Sequence, residues 1–398
     1  MATTATTLQA LHLAEGMSRL GTESAFDVLV RAKALEAAGR EIVHLEIGEP
    51  DFPTPLHIVE AAVDALRYGW THYGPSAGQP ALREAVAEDA GRRRGISIDP
   101  SEVVITPGAK PILFFTILAL VDRGDEVIYP NPGFPIYESM INFAGARPVP
   151  YGLREGHDFD VDPDEIISKI TARTRLVILN SPHNPTGGVM PREAMAELAR
   201  ALAGRDLFIL SDEIYNRLIY EGEHASVAQY PGLKERTIIL DGFSKAYAMT
   251  GWRLGYGIMR PDLAERVAQL QTNATSCTAS FTQIAAVTAL RGDQGCVDEM
   301  REEFRRRRSV MVEGLNSIPG FRCRQPRGGF CVFPNITGTG RHSKPLADAL
   351  LNEAGVAALA GTAFGAWGEG YLRFSFANSV ENIRKALDWI GNWVKNNV

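Results

Sequence analysis

The sequence predicts an α/β protein, with a mostly parallel central sheet in a large domain joined to a smaller α+β domain. Three observations predict it. Short Val- and Ile-rich runs alternate with helix-like segments, the pattern of parallel strands covered on both faces. Each run is closed by Gly, Pro, Asn or Asp. After about Gly292 the alternation gives way to longer helices separated by isolated strand-like runs.

The elements follow in order. The first ~15 residues are small and polar at the start and are expected to fray. Glu23 to Gly39 has helical spacing with a glycine stop. Ile42–Ile47 is a short apolar stretch, followed by the turn-rich GEPDFPTP (Gly48–Pro55). Val103–Thr106 reads as a strand, then comes the turn Pro107-Gly108 and an apolar helix over Ile112–Leu120. Glu126–Tyr129 runs into PNPGFP, Leu176–Asn180 into SPHNPTGG, Leu207–Leu210 into SDEIY, and Thr237–Leu240 into DGFSK. All these polar clusters fall at the C-terminal ends of strands, where open α/β sheets bind ligands. Beyond Gly292 the pattern predicts a charged helix over Val297–Leu315, strand-like Gly329–Phe333, a helix near Lys344–Ala354, strand-like Tyr371–Ala377 and a last helix near Val380–Lys395. The expected organisation is an N-terminal segment (1–47) joining the small domain, a large domain (48–291) and a small C-terminal domain (292–398).

Composition narrows the function. The 398 residues carry 41 Lys plus Arg against 47 Asp plus Glu, a net charge of −6, which argues against a dedicated nucleic-acid binder. The runs Arg92–Arg94 and Arg305–Arg308 sit among acidic residues and read as solvated helix faces. Cys277, Cys296, Cys323 and Cys331 show neither C-x-x-C nor zinc-ligand spacing, so no metal is expected. They fit a reducing compartment. No signal peptide is visible, and the longest apolar run, Ile112–Val121, is half the ~20 residues that cross a bilayer. A cytoplasmic protein without membrane or nucleic-acid partners is expected.

Four clusters carry chemistry. Lys245 follows the apolar strand TIILDGF. It is either a surface lysine whose stem packs on the core, or an amine of lowered pKa able to form a Schiff base. Asp212 follows four apolar residues and is either a helix cap or a poorly solvated carboxylate that needs a cation or a hydrogen-bond donor. Asn180–Gly187 is either a Pro/Gly-rich turn or a ligand loop. Gly108, Ala109 and Lys110 open a helix whose free N–H groups suit a phosphate. Together they fit pyridoxal 5'-phosphate (PLP), which needs an amine, a carboxylate for its ring nitrogen, donors for its phenolate oxygen and a phosphate cradle. Gly242–Ala246 nearly matches a serine-hydrolase elbow, but Ala246 replaces the last glycine. No P-loop is present.

The motifs GEPDFPTP, THYGPSAG, SPHNPTGG, SDEIY, FSKAYAMTGWRLGY and GEGYLRFSFANS occur in order from Glu46 onward. The spacings are 28 residues from Asn184 to Asp212, 33 on to Lys245 and 8 on to Arg253. In these the chain resembles the fold-type I PLP enzymes, and among them the class I aminotransferases related to aspartate aminotransferase. The resemblance implies roles. Lys245 would bind the cofactor covalently and then move the substrate's α-proton. Asp212 would keep the pyridine nitrogen protonated, and Asn184 and Tyr215 would bond the phenolate oxygen. Phe134 would stack on the ring. Arg253, with the N–H groups of Gly108, Ala109 and Lys110, would bind the phosphate. Tyr73 would reach the neighbouring subunit's phosphate, which implies a homodimer. Arg373, a two-pronged donor, and the Gly48 N–H would bind the substrate α-carboxylate, with Asn184 beside it. Many relatives carry Ser or Thr three residues before the lysine; here that position is Gly242, and Ser244 is the candidate replacement.

The implied activity is ping-pong transfer of an amino group from an L-amino acid to a 2-oxo acid, 2-oxoglutarate or pyruvate. The motifs look most like the broad aspartate/aromatic branch. A carbon–sulfur β-lyase or an amino-acid oxidase on the same fold is the alternative. A PLP-sensing transcription regulator would need a DNA-binding domain, and only ~45 residues precede Gly48. Closure of the small domain on substrate is expected, since it carries Arg373.

Overall fold

The computed structural model describes residues 11–398. The chain enters through α1 (Ser24–Ala37) and the short strand β1 (Val43–His44), then α2 (Leu56–Arg67) and α3 (Pro80–Arg94). The central strands follow: β2 (Val103–Thr106), β3 (Glu126–Asn131), β4 (Arg147–Gly152), β5 (Thr174–Asn180), β6 (Phe208–Asp212), β7 (Thr237–Gly242) and β8 (Gly255–Ile258). Between them lie α4 (Lys110–Leu120), α5 (Ile136–Phe143), α6 (Pro163–Ser168) and α7 (Arg192–Leu202). Helices α8 (Pro261–Thr275), α9 (Ser280–Arg291) and α10 (Gly295–Asn316) lead to β9 (Cys331–Val332), α11 (Ser343–Ala349), β10 (Val356–Ala357), β11 (Leu359–Ala360), β12 (Leu372–Ser375) and α12 (Val380–Asn397).

The seven central strands are ordered β2-β8-β7-β6-β5-β3-β4. Only β8 runs against the rest, pairing antiparallel with β2 on one side and β7 on the other. The C-terminal ends of β2, β3, β5, β6 and β7 therefore share one edge. Alternation along each strand explains the two covered faces. Val104, Leu176, Ile178, Leu210, Ile238 and Leu240 pack with residues of α4, α5 and α8. Their neighbours Ile105 and Ile239 pack with α2, α3 and α9, and Val177, Leu179 and Ile209 pack with α7. Each such side chain contributes about 1.5–3 kcal/mol on burial, so both faces hold the sheet in place.

Four strands were not expected: the two-residue β10 and β11 of the small sheets, and β4 and β8 of the central one. β4 contains Pro148 and Pro150 and is tolerated because it is the sheet's edge. β8 carries two glycines in four residues, which hides it from a propensity reading. Elsewhere the expected runs shrink. Ile42–Ile47 is a strand only at Val43–His44, Gly329–Phe333 only at Cys331–Val332, and Tyr371–Ala377 only at Leu372–Ser375. Helix α11 stops at Ala349, and a wider turn covers Leu350–Ala354.

β1 pairs in parallel with β10, Val43 opposite Val356. Val43 and Leu45 join a core made with Phe304, Met311, Val356, Phe374, Ile383 and Ile390. The arginine runs are not solvated faces throughout. Arg94 is fully buried on Glu213 and Asp241, at 2.7 and 3.0 Å. Arg307 pairs with Asp51 at 2.6 Å, and Arg308 with Glu221 at 2.8 Å. These carboxylates come from distant elements, so the local sequence does not announce them. Among the described residues no helix is long and apolar enough to cross a membrane, and no three His, Cys, Asp or Glu side chains gather as metal ligands.

Candidate active site

The shared strand edge opens into a cavity of about 480 Å³. Its wall takes Gly48, Ala109, Lys110, Phe134, Asn184, Asp212, Tyr215, Ser244, Lys245, Arg253 and Arg373. Two expected residues are not on that wall. Gly108 lies just behind it, and Tyr73 is 90% exposed on the outside of its own chain.

Lys245 follows β7 and donates from Nζ to the Gly48 carbonyl at 2.6 Å. The ammonium also lies 5.6 Å from the centre of the Phe330 ring and 6.0 Å from that of Tyr215. Burial among these groups lowers its pKa to about 8, the charge of Arg373 acting in the same direction, while Cys331 and Glu23 oppose it. A lysine near 8 keeps a sizeable neutral fraction at physiological pH, which a nucleophilic amine needs.

Asp212 ends β6, almost fully buried. The expected partner for this carboxylate is a phenol: Tyr137 donates to Oδ2 at 2.6 Å, and the Ile214 N–H donates to Oδ1 at 3.2 Å. Burial still pushes the carboxyl up to about 6, with the Tyr137 bond pulling the other way. Tyr137 was missed from the sequence. It sits one turn after Phe134 and packs edge-on against it, ring centres 5.6 Å apart. Asn180, at the end of β5, donates to the carbonyls of Asp212 (3.0 Å) and Pro182 (3.2 Å) and accepts from the Asn184 N–H (3.0 Å). It thereby ties the Asn184 loop to the Asp212 strand. Asn184 Oδ1 is buried with no hydrogen-bond partner among the described residues. Tyr215 rests edge-on against Phe330, and burial raises its phenol above the ordinary range.

At the other end of the cavity, α4 starts beside β8. Arg253 holds a left-handed backbone, φ +53°, and donates from Nη1 to the Thr250 carbonyl at 2.6 Å. Glycine is demanded twice here. Gly108 has φ +86°, and a Cβ on it would lie 2.2 Å from Arg253 Nη2; a Cβ on Gly255 would lie 2.4 Å from the Ala109 nitrogen. The two glycines let Arg253 and β8 pack directly on the main chain that opens α4. Gly242 pairs with Gly255 across β7 and β8, and a Cβ on it would come within 3.0 Å of the Gly255 Cα. Gly242 is not on the wall, whereas Ser244 is.

Arg373 lies on β12, buried, with Nη2 donating to the Glu46 carbonyl. Its Nε has no partner among the described residues, and its guanidinium lies 5.3 Å from the centre of the Phe364 ring. A Cβ placed on Gly48 would sit 3.6 Å from Arg373 Nη1. Gly48 thus lies between Lys245, which bonds its carbonyl, and the Arg373 guanidinium.

The family model for aminotransferases of class I and II matches residues 40–390. The chain belongs to this family. An aspartate aminotransferase of Pyrococcus horikoshii is 42% identical over 369 residues, covering 92% of each chain. An arginine–pyruvate transaminase of Pseudomonas aeruginosa is 40% identical, covering 91% of this chain and 92% of the other. The solved aspartate aminotransferase of Thermus thermophilus with maleate superposes with a TM-score of 0.92 at 38% identity, covering 96% of this chain and 99% of that one. This aminotransferase has the type I fold, and its relatives' activities favour amino transfer over β-elimination or oxidation.

The family implies PLP, and the aminotransferase cavity fits it on two counts. A buried carboxyl on Asp212 has no cation opposite it, only Tyr137 and a backbone N–H. The opening of α4 at Ala109 and Lys110 shares the cavity wall with the Arg253 guanidinium and the Ser244 hydroxyl, a donor set that suits an anion.

Proposed function

We propose that this enzyme transfers the α-amino group of an L-amino acid to 2-oxoglutarate or pyruvate, using PLP held by the cavity residues. When bound, PLP supplies an electron sink for the substrate's α-carbon and stores the amino group between half-reactions. Arg253, Ser244 and the N–H groups of Gly108, Ala109 and Lys110 bind its phosphate, and Phe134 stacks on its ring. Asp212 holds the proton on the ring nitrogen. Asn184 and Tyr215 donate to the phenolate oxygen. Arg373 grips the substrate α-carboxylate with help from the Gly48 N–H and Asn184, which orients the α-hydrogen. Lys245 Nζ would take the proton from the substrate's α-carbon and later give it up, acting as general base and then general acid.

The observation that carries this reading is the common wall position of Lys245 and Arg373 on either side of Gly48. A proton-transfer amine and a carboxylate receptor on the wall of one cavity suit α-deprotonation. The cavity is built from residues of 48–291 together with Glu23, Ala25, Phe26 and Ile47 from 1–47 and Arg373 from 292–398, so closure of the small domain with its N-terminal segment tightens it. Tyr73, exposed on its own chain, contributes to the site of a second copy, so the working unit is a homodimer. Four free cysteines are compatible with a cytoplasmic enzyme. The substrates belong to the aspartate/aromatic group.

The test is the visible absorption of the cofactor-loaded protein with L-glutamate alone. Loss of the lysine-bound cofactor band with growth of a near-ultraviolet band, reversed by a 2-oxo acid, is expected. If a panel of amino acids leaves the band unchanged, or ammonia forms without an acceptor, the transaminase reading fails.

A further inference from the structure

The cavity wall carries four cationic side chains, and the reading above employs three of them: Lys245, Arg253 and Arg373. The fourth, Lys110, is the first residue of α4. Its ammonium lies 5.3 Å from the centre of the Phe134 ring and 5.9 Å from that of Phe26. It is already occupied. Glu23 Oε2 meets Lys110 Nζ at 2.5 Å, across 87 residues of sequence. Glu23 stands at the N-cap of α1, yet its carboxylate makes no bond to the helix's free N–H groups. It turns away from its own helix and toward the cavity, and its charge is felt at Lys245 and Tyr215. The other glutamate on the wall, Glu49, is bonded to Thr250 Oγ1.

We propose that Glu23 is a specificity-determining residue of this site, biasing it toward substrates with a neutral aromatic or aliphatic side chain; it weakens binding of those with a side-chain carboxylate, glutamate and 2-oxoglutarate included, without excluding them from turnover. The inference rests on the transaminase reading and narrows its substrate class. A carboxylate entering between Phe26 and Phe134 meets a cation whose charge is spent. It must displace Glu23 or sit beside a like charge, and either weakens binding. A neutral side chain meets the Phe26 ring and a neutralised ion pair, and displaces no charge. Specificity here comes from an added repulsion.

The test compares two unreactive mimics on the cofactor-loaded enzyme by calorimetry: succinate for an acidic substrate and 3-phenylpropionate for an aromatic one. Glu23→Gln keeps the size and removes the charge. It should tighten succinate about tenfold, equivalent to about 1.4 kcal/mol, and move 3-phenylpropionate less than about threefold. Glu23→Ser supplies an ordinary helix cap and should give the same shift. In turnover, kcat/KM for L-aspartate relative to L-phenylalanine should rise by a similar factor, through KM. If both variants bind succinate no more tightly than the wild type, the inference is overturned while the transaminase reading stands. A wild-type enzyme that binds neither acid overturns both.

Discussion

Asp212→Asn should make the cofactor-free protein more stable at neutral pH and the working enzyme worse. Burial lifts the Asp212 carboxyl from 3.8 to about 6. A carboxyl with a higher pKa folded than unfolded takes up a proton on folding. It is harmless below about pH 4 and destabilises progressively as pH rises toward 6, levelling off above that. At about 1.36 kcal/mol per unit the full cost is about 3 kcal/mol, of which about 1.4 kcal/mol accrues between pH 5 and pH 8. Asparagine cannot ionise, so its protein lacks this slope. It keeps only one of the two oxygens that accept from the Tyr137 hydroxyl and the Ile214 N–H, and the lost bond is a cost that does not vary with pH.

Urea unfolding of both cofactor-free proteins at pH 5 and pH 8 isolates the effect, because other titrating groups cancel in the difference. The stability of the variant minus that of the wild type should grow by about 1.4 kcal/mol over this range. With PLP bound the order should reverse, since a protonated ring nitrogen opposite Asp212 stabilises the ionised carboxylate, and turnover should collapse in the variant. A difference constant with pH to within about 0.5 kcal/mol refutes the reasoning, because it places Asp212 in an ordinary solvated setting.

Further outcomes follow from the same geometry. Gly108→Ala pushes a methyl to within 2.2 Å of Arg253 Nη2 at a backbone φ of +86°; PLP affinity by fluorescence titration should fall at least about tenfold, with the circular dichroism spectrum unchanged. Acetylation of Lys245 in the cofactor-free protein should speed up as pH rises through about 8, and a midpoint near the ordinary lysine value, followed by mass spectrometry, would contradict the burial argument. Arg373→Lys replaces a two-pronged donor with a point charge; kcat/KM should drop about 100-fold, mostly in KM for the amino acid, while PLP affinity holds.

The strand edge and most of its chemistry were legible because the type I fold writes them locally. Asp212, Lys245 and Asn184 each follow a run of Val, Ile or Leu, and each run is a central strand. The unread parts depend on partners far away in sequence. Tyr137 is an ordinary residue on an amphipathic helix until α5 is set against β6, 75 residues on. Arg94 looks like one of three surface arginines until Glu213 and Asp241 close over it. β8 was lost because its glycines serve close packing on α4 rather than strand formation. Glu23 had no motif to mark it, since only the packing of α1 brings it to Lys110.

The pairing of β1 with β10 joins Val43 to Val356. Closing a loop of that length costs about 5 kcal/mol in chain entropy before any contact repays it. On a ribosome this juncture comes late. Asn184, Asp212, Lys245 and Arg253 are all made before residue 260, so a nascent chain holds the main cofactor residues first. Arg373 and its strand emerge about 120 residues later, roughly 6–24 s at bacterial-to-eukaryotic synthesis rates. On the roles proposed above, the residues that would hold the cofactor are therefore synthesised well before the arginine that would recognise a substrate.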